Sequence, residues 1–312
     1  MTEVSTRRRG KANPRSARPY GARRHQFSLA HLTLLSQSPP DLVEIASAAG
    51  YDFVSLRLIP FGLANEPVYA LQSDQALLQR TRRALRDTGM RVLDMELARI
   101  YDGMDVGRYL AAMTIGAELG VQHVLTSVWG AETGFVRDQL ALLCELARPL
   151  GLTVDLEFVP FSQVRSLAEA ASLLSAVPCS NVGLCIDTLH FDRAKDQVGA
   201  LLRLPRAWFH YAQICDAPAG LTGDDAELRQ TAREGRVFLG EGGIDVRAIL
   251  AAMPEMPYSI ELPNAKLLAE LGPQRFARRC LETARDYLQA AAPIPPCRGG
   301  KPGLHGSSER LF

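Results

Sequence analysis

No stretch of this chain approaches 18 uninterrupted apolar residues, so it offers no candidate membrane-spanning helix. The Arg-rich opening, MTEVSTRRRGKANPRSARPYGARRH, lacks the apolar run of a secretory signal. Cysteine is scarce, and the six present (Cys144, Cys179, Cys185, Cys215, Cys280 and Cys297) show no C-x-x-C spacing. Neither a disulfide framework nor a zinc ribbon is indicated, and buried reduced thiols are the simpler reading. No G-x-G-x-x-G turn follows the first apolar run, which argues against a dinucleotide-binding open sheet. No Pro/Gly/Ser linker divides the middle of the chain, so one domain with tails is expected. Together these absences imply a soluble cytoplasmic protein.

Charge is divided unevenly along the chain. Residues 1–25 hold eight Arg or Lys against one acid, and the end of the chain contains PIPPCRGGKPG. Neither segment can bury a core, so 1–25 and 291–312 read as disordered tails flanking a domain over 26–290. A plain solvated tail is favoured for the basic leader over a transit peptide or a nucleic-acid arm. Residues 26–292 carry 24 basic and 32 acidic residues, a net of −8. Such a body is a poor platform for phosphate backbones, whose binding rests on clustered Lys and Arg. The expected partner is a small-molecule substrate, not nucleic acid or membrane.

What is present is alternation. Short apolar or β-branched runs at 26–32, 53–59, 91–97, 122–128, 152–158, 182–187, 209–214 and 258–262 alternate with longer stretches, several of helical periodicity. The latter include 40–50, 76–89, 106–120 and 164–177, and Gly50, Gly89 and Gly120 stand where helices should stop. Strands alternating with helices imply parallel pairing and right-handed crossovers. Eight units in this length fit a (β/α)8 TIM barrel, which takes about 250 residues. A doubly wound open sheet is the runner-up.

Active sites of such barrels sit at the C-terminal ends of the strands. Those ends carry His31, Arg57, Glu96 with Arg99, Ser127 with Trp129, Glu157, Asp187 with His190, Gln213 with Asp216, and Glu261 with Asn264. Any one carboxylate is more often a helix cap or a surface ion pair. Four oxygen-bearing groups on consecutive strands, Glu157, Asp187, Gln213 and Glu261, are harder to dismiss. Three converging carboxylates would repel one another unless a cation stood between them. An all-oxygen shell suits one divalent ion, with Mn²⁺ or Mg²⁺ favoured over Co²⁺ or Zn²⁺. Residues three apart on a strand face opposite ways, so of His210 and Gln213 the second is expected at the mouth and His210 toward the helices.

The segments LEF, CIDTLH, QICDAP, GEGGID and SIEL resemble the xylose isomerase-like sugar isomerase/epimerase superfamily across essentially 26–290. Its ketose 3-epimerase and hydroxypyruvate isomerase branches are the nearest in motif, and it also holds dehydratases and the endonuclease IV repair enzymes. The last are disfavoured, since six histidines and an acidic body suit neither a multi-zinc centre nor a DNA groove. The resemblance implies an isomerase or epimerase of a small hydroxy-carbonyl compound. It also implies that Glu157 and Glu261 exchange a substrate proton while ligating the metal, with His190 as a third catalytic group. A dehydratase of a β-hydroxy ketone such as dehydroshikimate or an inosose is the alternative. His31, Arg57, Glu96, Arg99, Trp129, Asp216 and Arg236 are the candidates for holding substrate. If two of the arginines face the pocket, an acidic substrate is expected. The segment 221–237 reads as a long loop suited to a lid or a subunit contact, compatible with a homo-oligomer.

Deleting 1–25 and 291–312 together is expected to leave activity within about threefold, an effect below about 0.7 kcal/mol. Kinetics on the truncated chain test this; a truncated chain that fails to fold would show that a tail docks on the domain.

Overall fold

The structure is a computed structural model that describes residues 25–62, 66–220 and 224–290. The expected tails and residues 221–223 of the 221–237 segment therefore fall largely outside the described residues. Eight parallel strands close into a barrel in sequence order: β1 (Phe27–Leu29), β2 (Phe53–Arg57), β3 (Arg91–Ile100), β4 (His123–Val128), β5 (Thr153–Glu157), β6 (Val182–Asp187), β7 (Phe209–Ile214) and β8 (Tyr258–Ile260). β8 pairs back onto β1, with Ser28 opposite Ser259. All eight expected strands form, and each expected helical stretch is helical. Closure removes the sheet edges an open sheet would leave.

The helices are α1 (Pro39–Ala49), α2 (Gln75–Thr88), α3 (Leu110–Glu118), α4 (Thr133–Ala147), α5 (Leu167–Ser175), α6 (Thr188–Arg193), α7 (Val198–Leu201), α8 (Asp225–Glu234), α9 (Val246–Ala251), α10 (Ala265–Leu271) and α11 (Pro273–Gln289). Side-chain caps start many of them, and those of α2, α5, α6 and α10 are Asp74, Ser166, Asp187 and Asn264. Gly50, Gly89 and Gly120 take positive φ at or just after helix ends, as their sequence positions imply. The segment read as a long loop instead contains α8, capped by Asp224 through the N–H groups of Ala226 and Glu227. Its polar composition hid a helix that buries only Thr231 and Ala232. No helix among the described residues is long and apolar enough to cross a membrane.

Two apolar layers result. One lies between strands and helices and includes Leu56, Val124, Leu184, Ile214 and Phe276. The other fills the barrel interior with Phe53, Leu93, Leu97, Leu125, Cys185 and Tyr211. That inner layer separates polar groups at the two mouths, so the barrel is packed and not a pore.

His210 departs from the expected orientation. β6 and β7 slip in register between Leu184 and Ile186, so two steps on β6 face three on β7. The alternation of β7 breaks there, and His210 leans toward Asp155 on β5 rather than toward the helices.

Candidate functional site at the C-terminal mouth

A cavity opens at the C-terminal ends of the strands. Arg57, Glu96, Ser127, Trp129, Glu157, His190, Arg236 and Glu261 line it, together with apolar groups such as Leu97, Leu125, Val159 and Phe161. Its mixture of apolar wall and few polar groups is that of a ligand pocket.

Arg236 organises the charges. It is 1 % exposed, and its guanidinium reaches Asp187 Oδ2 at 2.6 Å and Glu261 Oε2 at 3.0 Å. Its Nε donates to the Ala232 carbonyl in the last turn of α8, at 3.0 Å. The Asn264 side chain donates to the Arg236 carbonyl, tying that segment to the start of α10. Burial pushes the Asp187 carboxyl up, but the Arg236 guanidinium and the hydrogen bonds the carboxylate accepts outweigh it and hold it below the usual range. Asp187 also caps α6, accepting from the N–H groups of Leu189 and His190 at 2.7 and 3.4 Å. Asp187 thus caps a helix and pairs with Arg236 just behind the cavity wall, which Arg236 and His190 form.

The other two carboxylates behave differently. Burial drives Glu157 well above the carboxylate range, and the charges of Glu261 and Asp187 drive it further. Its side chain makes no hydrogen bond among the described residues. Burial likewise raises Glu261 to about 8, with Arg236 pulling the other way. Glu261 Oε1 accepts from Gln213 Nε2 at 3.0 Å, while Gln213 Oε1 meets only the Cys185 thiol at 3.7 Å. His190 Nε2 lies 3.8 Å from Glu157 Oε1, and burial lowers its pKa to about 4. Since the glutamate is raised and the histidine lowered, this approach joins two neutral groups and is not an ion pair.

The donors fit a divalent cation. Glu157, Asp187 and His190 offer three ligand atoms within 4.8 Å of one another, a grouping that adds His190 to the expected ligands. Glu157 has no basic partner for its charge, and Gln213 keeps a carbonyl oxygen with only a weak thiol partner. Arg236 already supplies one positive charge, which leaves the three carboxylates under-compensated.

Several of the substrate-binding candidates lie away from the cavity or have their polar atoms engaged within the protein. His31 does not line the cavity: its Nδ1 accepts the Arg57 N–H at 2.8 Å and its Nε2 meets the Gln37 carbonyl at 2.9 Å, so backbone occupies both nitrogens. Arg99 is also outside it, with its guanidinium on the Phe61 ring (3.8 Å) and bonded to the Phe61 carbonyl. Asp216 is structural, accepting the N–H groups of Gly240, Gly242 and Ile244 at 3.0–3.1 Å and pinning the GEGGID segment. A Cβ on Gly242 would stand 2.2 Å from Asp216 Oδ1, which explains a glycine there. Arg57 and Arg236 do face the cavity, yet each is neutralised: Arg57 bonds Glu96 Oε2 at 2.7 Å and lies 3.5 Å from Glu66. The charges of these two arginines are thus engaged by carboxylates of the protein itself.

Trp129 lines the cavity beside Phe161, its Nε1 donating to Ser127 Oγ at 2.9 Å. Arg229 of α8 lies over the Phe161 ring at 4.8 Å, so this helix closes one side of the mouth. Arg233 at the rim was missed in the sequence; it falls one helical turn from Arg229, a signal visible only once α8 is recognised as a helix.

Residues 43–287 match the family model described as xylose isomerase-like TIM barrel. The chain belongs to that family. An inosose isomerase of Bacillus velezensis is 23 % identical over 268 residues, covering 80 % of this chain and 90 % of the relative. An L-ribulose 3-epimerase of Mesorhizobium japonicum is 24 % identical over 210 residues, covering 66 % and 61 %. A solved structure of the IOLI protein with a bound zinc atom superposes with a TM-score of 0.71 at 20 % identity, covering 86 % of this chain and all of that one.

The lowered pKa of His31, about 4 through burial, opposed by Glu96 and the Gln37 carbonyl, yields a pH expectation. As pH falls below about 6.5 the unfolded chain protonates this histidine while the folded chain does not, so stability declines toward pH 4 by roughly 3 kcal/mol. The raised carboxyls of Glu157 and Glu261 act in the opposite sense, so the test is a difference: in urea titrations at about pH 7, 5.5 and 4.5, His31→Gln should lower the slope of stability against pH by about one proton relative to wild type. Equal slopes in variant and wild type would place the titration elsewhere.

Proposed function

We propose that this protein is a divalent-metal-dependent isomerase or epimerase of a small hydroxy-carbonyl compound, with Glu157 and Glu261 as the proton-transferring pair. The observation that carries this reading is two buried carboxylates with raised pKa lining one cavity beside a third held ionised. Groups whose environments push their pKa values apart are what acid–base exchange requires. The isomerase and epimerase names of its relatives support the same chemistry.

A divalent ion held by Glu157, Asp187, Glu261 and the Gln213 carbonyl would polarise the substrate carbonyl and so acidify the adjacent carbon. Ionised once a divalent charge stands beside it, Glu157, with no hydrogen-bond partner of its own among the described residues, would take the proton from that carbon. Glu261, fixed by Gln213 and Arg236, returns a proton at the neighbouring carbon or on the other face. His190 stands near Glu157 in neutral form and offers a hydrogen bond to a substrate hydroxyl. Trp129 and Phe161 exclude water, which strengthens each of these interactions. Because Arg57 and Arg236 are neutralised by carboxylates, an uncharged polyol ketone suits the cavity better than an acid or a phosphate.

Incubation with inosose- and ketose-type substrates in D₂O and Mn²⁺ or Zn²⁺ is expected to place deuterium on the carbon next to the carbonyl. Glu157→Gln should cost ~10²–10⁴-fold in that exchange. Exchange at the wild-type rate would remove Glu157 from the role, and water release with a new conjugated chromophore would identify a dehydratase.

The metal is tested separately by thermal unfolding. Mg²⁺ or Mn²⁺ at about 100-fold saturation should add about 2.7 kcal/mol, and Asp187→Asn should abolish the gain. An unchanged Tm with chelator and with added ion would refute a metal at this mouth.

A further inference from the structure

A second constellation lies at the opposite mouth and has no part in the chemistry above. His123 begins β4, Asp155 sits in β5 and His210 is the second residue of β7, so all three lie toward the N-terminal ends of their strands. The Asp155 carboxylate is fully buried, and its ion-pairing partners among the described residues are these two imidazoles. His210 Nδ1 is 2.6 Å from Oδ1, and His123 Nδ1 is 3.7 Å from Oδ2. Thr153 Oγ1 bridges Oδ2 and His123 Nδ1 at 2.6 and 2.8 Å, fixing the carboxylate. The two rings are nearly parallel, with centroids 5.4 Å apart, and Tyr211 stacks on His123 from within the barrel.

The chain is built to allow this convergence. The register slip in β7 turns His210 inward, and Gly183 leaves the space it enters: a Cβ there would stand 2.6 Å from both Asp155 Oδ1 and His210 Nδ1. The cluster is also reachable, since the His123 and His210 side chains remain 12 % and 23 % exposed.

We propose that His123, Asp155 and His210 form a transition-metal site at the N-terminal mouth of the barrel, for Zn²⁺ or Co²⁺, distinct from the ion at the C-terminal mouth. The three ligand atoms lie within 4.8 Å of one another. Around a tetrahedral zinc with bonds of about 2.0–2.2 Å, ligand atoms stand roughly 3.3 Å apart, so small ring rotations complete the site. Two imidazoles and one carboxylate select zinc-like ions over Mg²⁺ or Ca²⁺. Thr153 acts as the outer partner that orients the carboxylate, and the partly exposed rim leaves a coordination position for water. A bound ion would cross-link β4, β5 and β7, so its role is structural. The inner apolar layer, with Tyr211 and Leu125, separates it from the catalytic cavity.

Metal content after dialysis against micromolar Zn²⁺ tests the assignment on the full chain. His210→Gln and His123→Gln should each lose about one zinc per chain relative to wild type, while Asp187→Asn keeps that zinc. Because the reading is a difference between variants, it stands or falls independently of the metal at the other mouth. If the histidine variants retain the wild-type count, the proposal is wrong. Wild-type crystals soaked in Zn²⁺ provide a test that needs no variant: anomalous scattering at the zinc edge should show a peak among the three side chains. Absence of that peak in a crystal with zinc in its solvent would overturn the site even if the variants failed to fold.

Discussion

The pairing of the Arg236 guanidinium with Asp187 and Glu261 is the interaction on which the C-terminal mouth depends. A closed barrel with Glu96, Glu157, Asp187 and Glu261 buried near one end concentrates negative charge where water is excluded. Breaking a buried ion pair by removing one partner costs about 3–5 kcal/mol, because the remaining charge is left without compensation. Arg236 therefore keeps Asp187 ionised, while burial raises Glu157 and also Glu261, the latter in spite of the same guanidinium. Asp187, close to the guanidinium and fed by two backbone N–H groups, stays charged. Glu157, farther from any cation, does not.

This difference turns three chemically similar side chains into groups with separate properties. The residues that enforce it lie outside the reacting centre. Asn264 holds the Arg236 carbonyl, Gln213 holds Glu261, and Asp216 fixes the GEGGID segment that follows Arg236 in sequence. Much of the polar density at the mouth is thus scaffolding that places a few functional atoms.

The barrel was legible because its strands are short, apolar and separated by helices with recognisable stops. The rim carboxylates were legible because strand ends in such barrels rarely carry so many. Three things were not. The polar composition of α8 concealed a helix, and with it Arg233. His31 and Asp216 read as substrate-holding groups because they stand at strand ends, but their polar atoms bond backbone groups that no side-chain pattern reveals. The inward turn of His210 depends on one extra residue in β7 opposite β6, and strict alternation misplaces it. For the same reason the His123–Asp155–His210 cluster cannot be read from spacing: its members come from three strands with no shared motif.

Helix α8 contributes to the mouth in two ways at once. Arg229 covers the aromatic wall at Phe161, and the carbonyl of Ala232 in its last turn anchors the guanidinium of Arg236. Access and electrostatics are thus mechanically linked. A displacement of this helix that admits substrate also loosens the counter-charge of Asp187 and Glu261, so the opened pocket and the closed one differ in acidity as well as in shape.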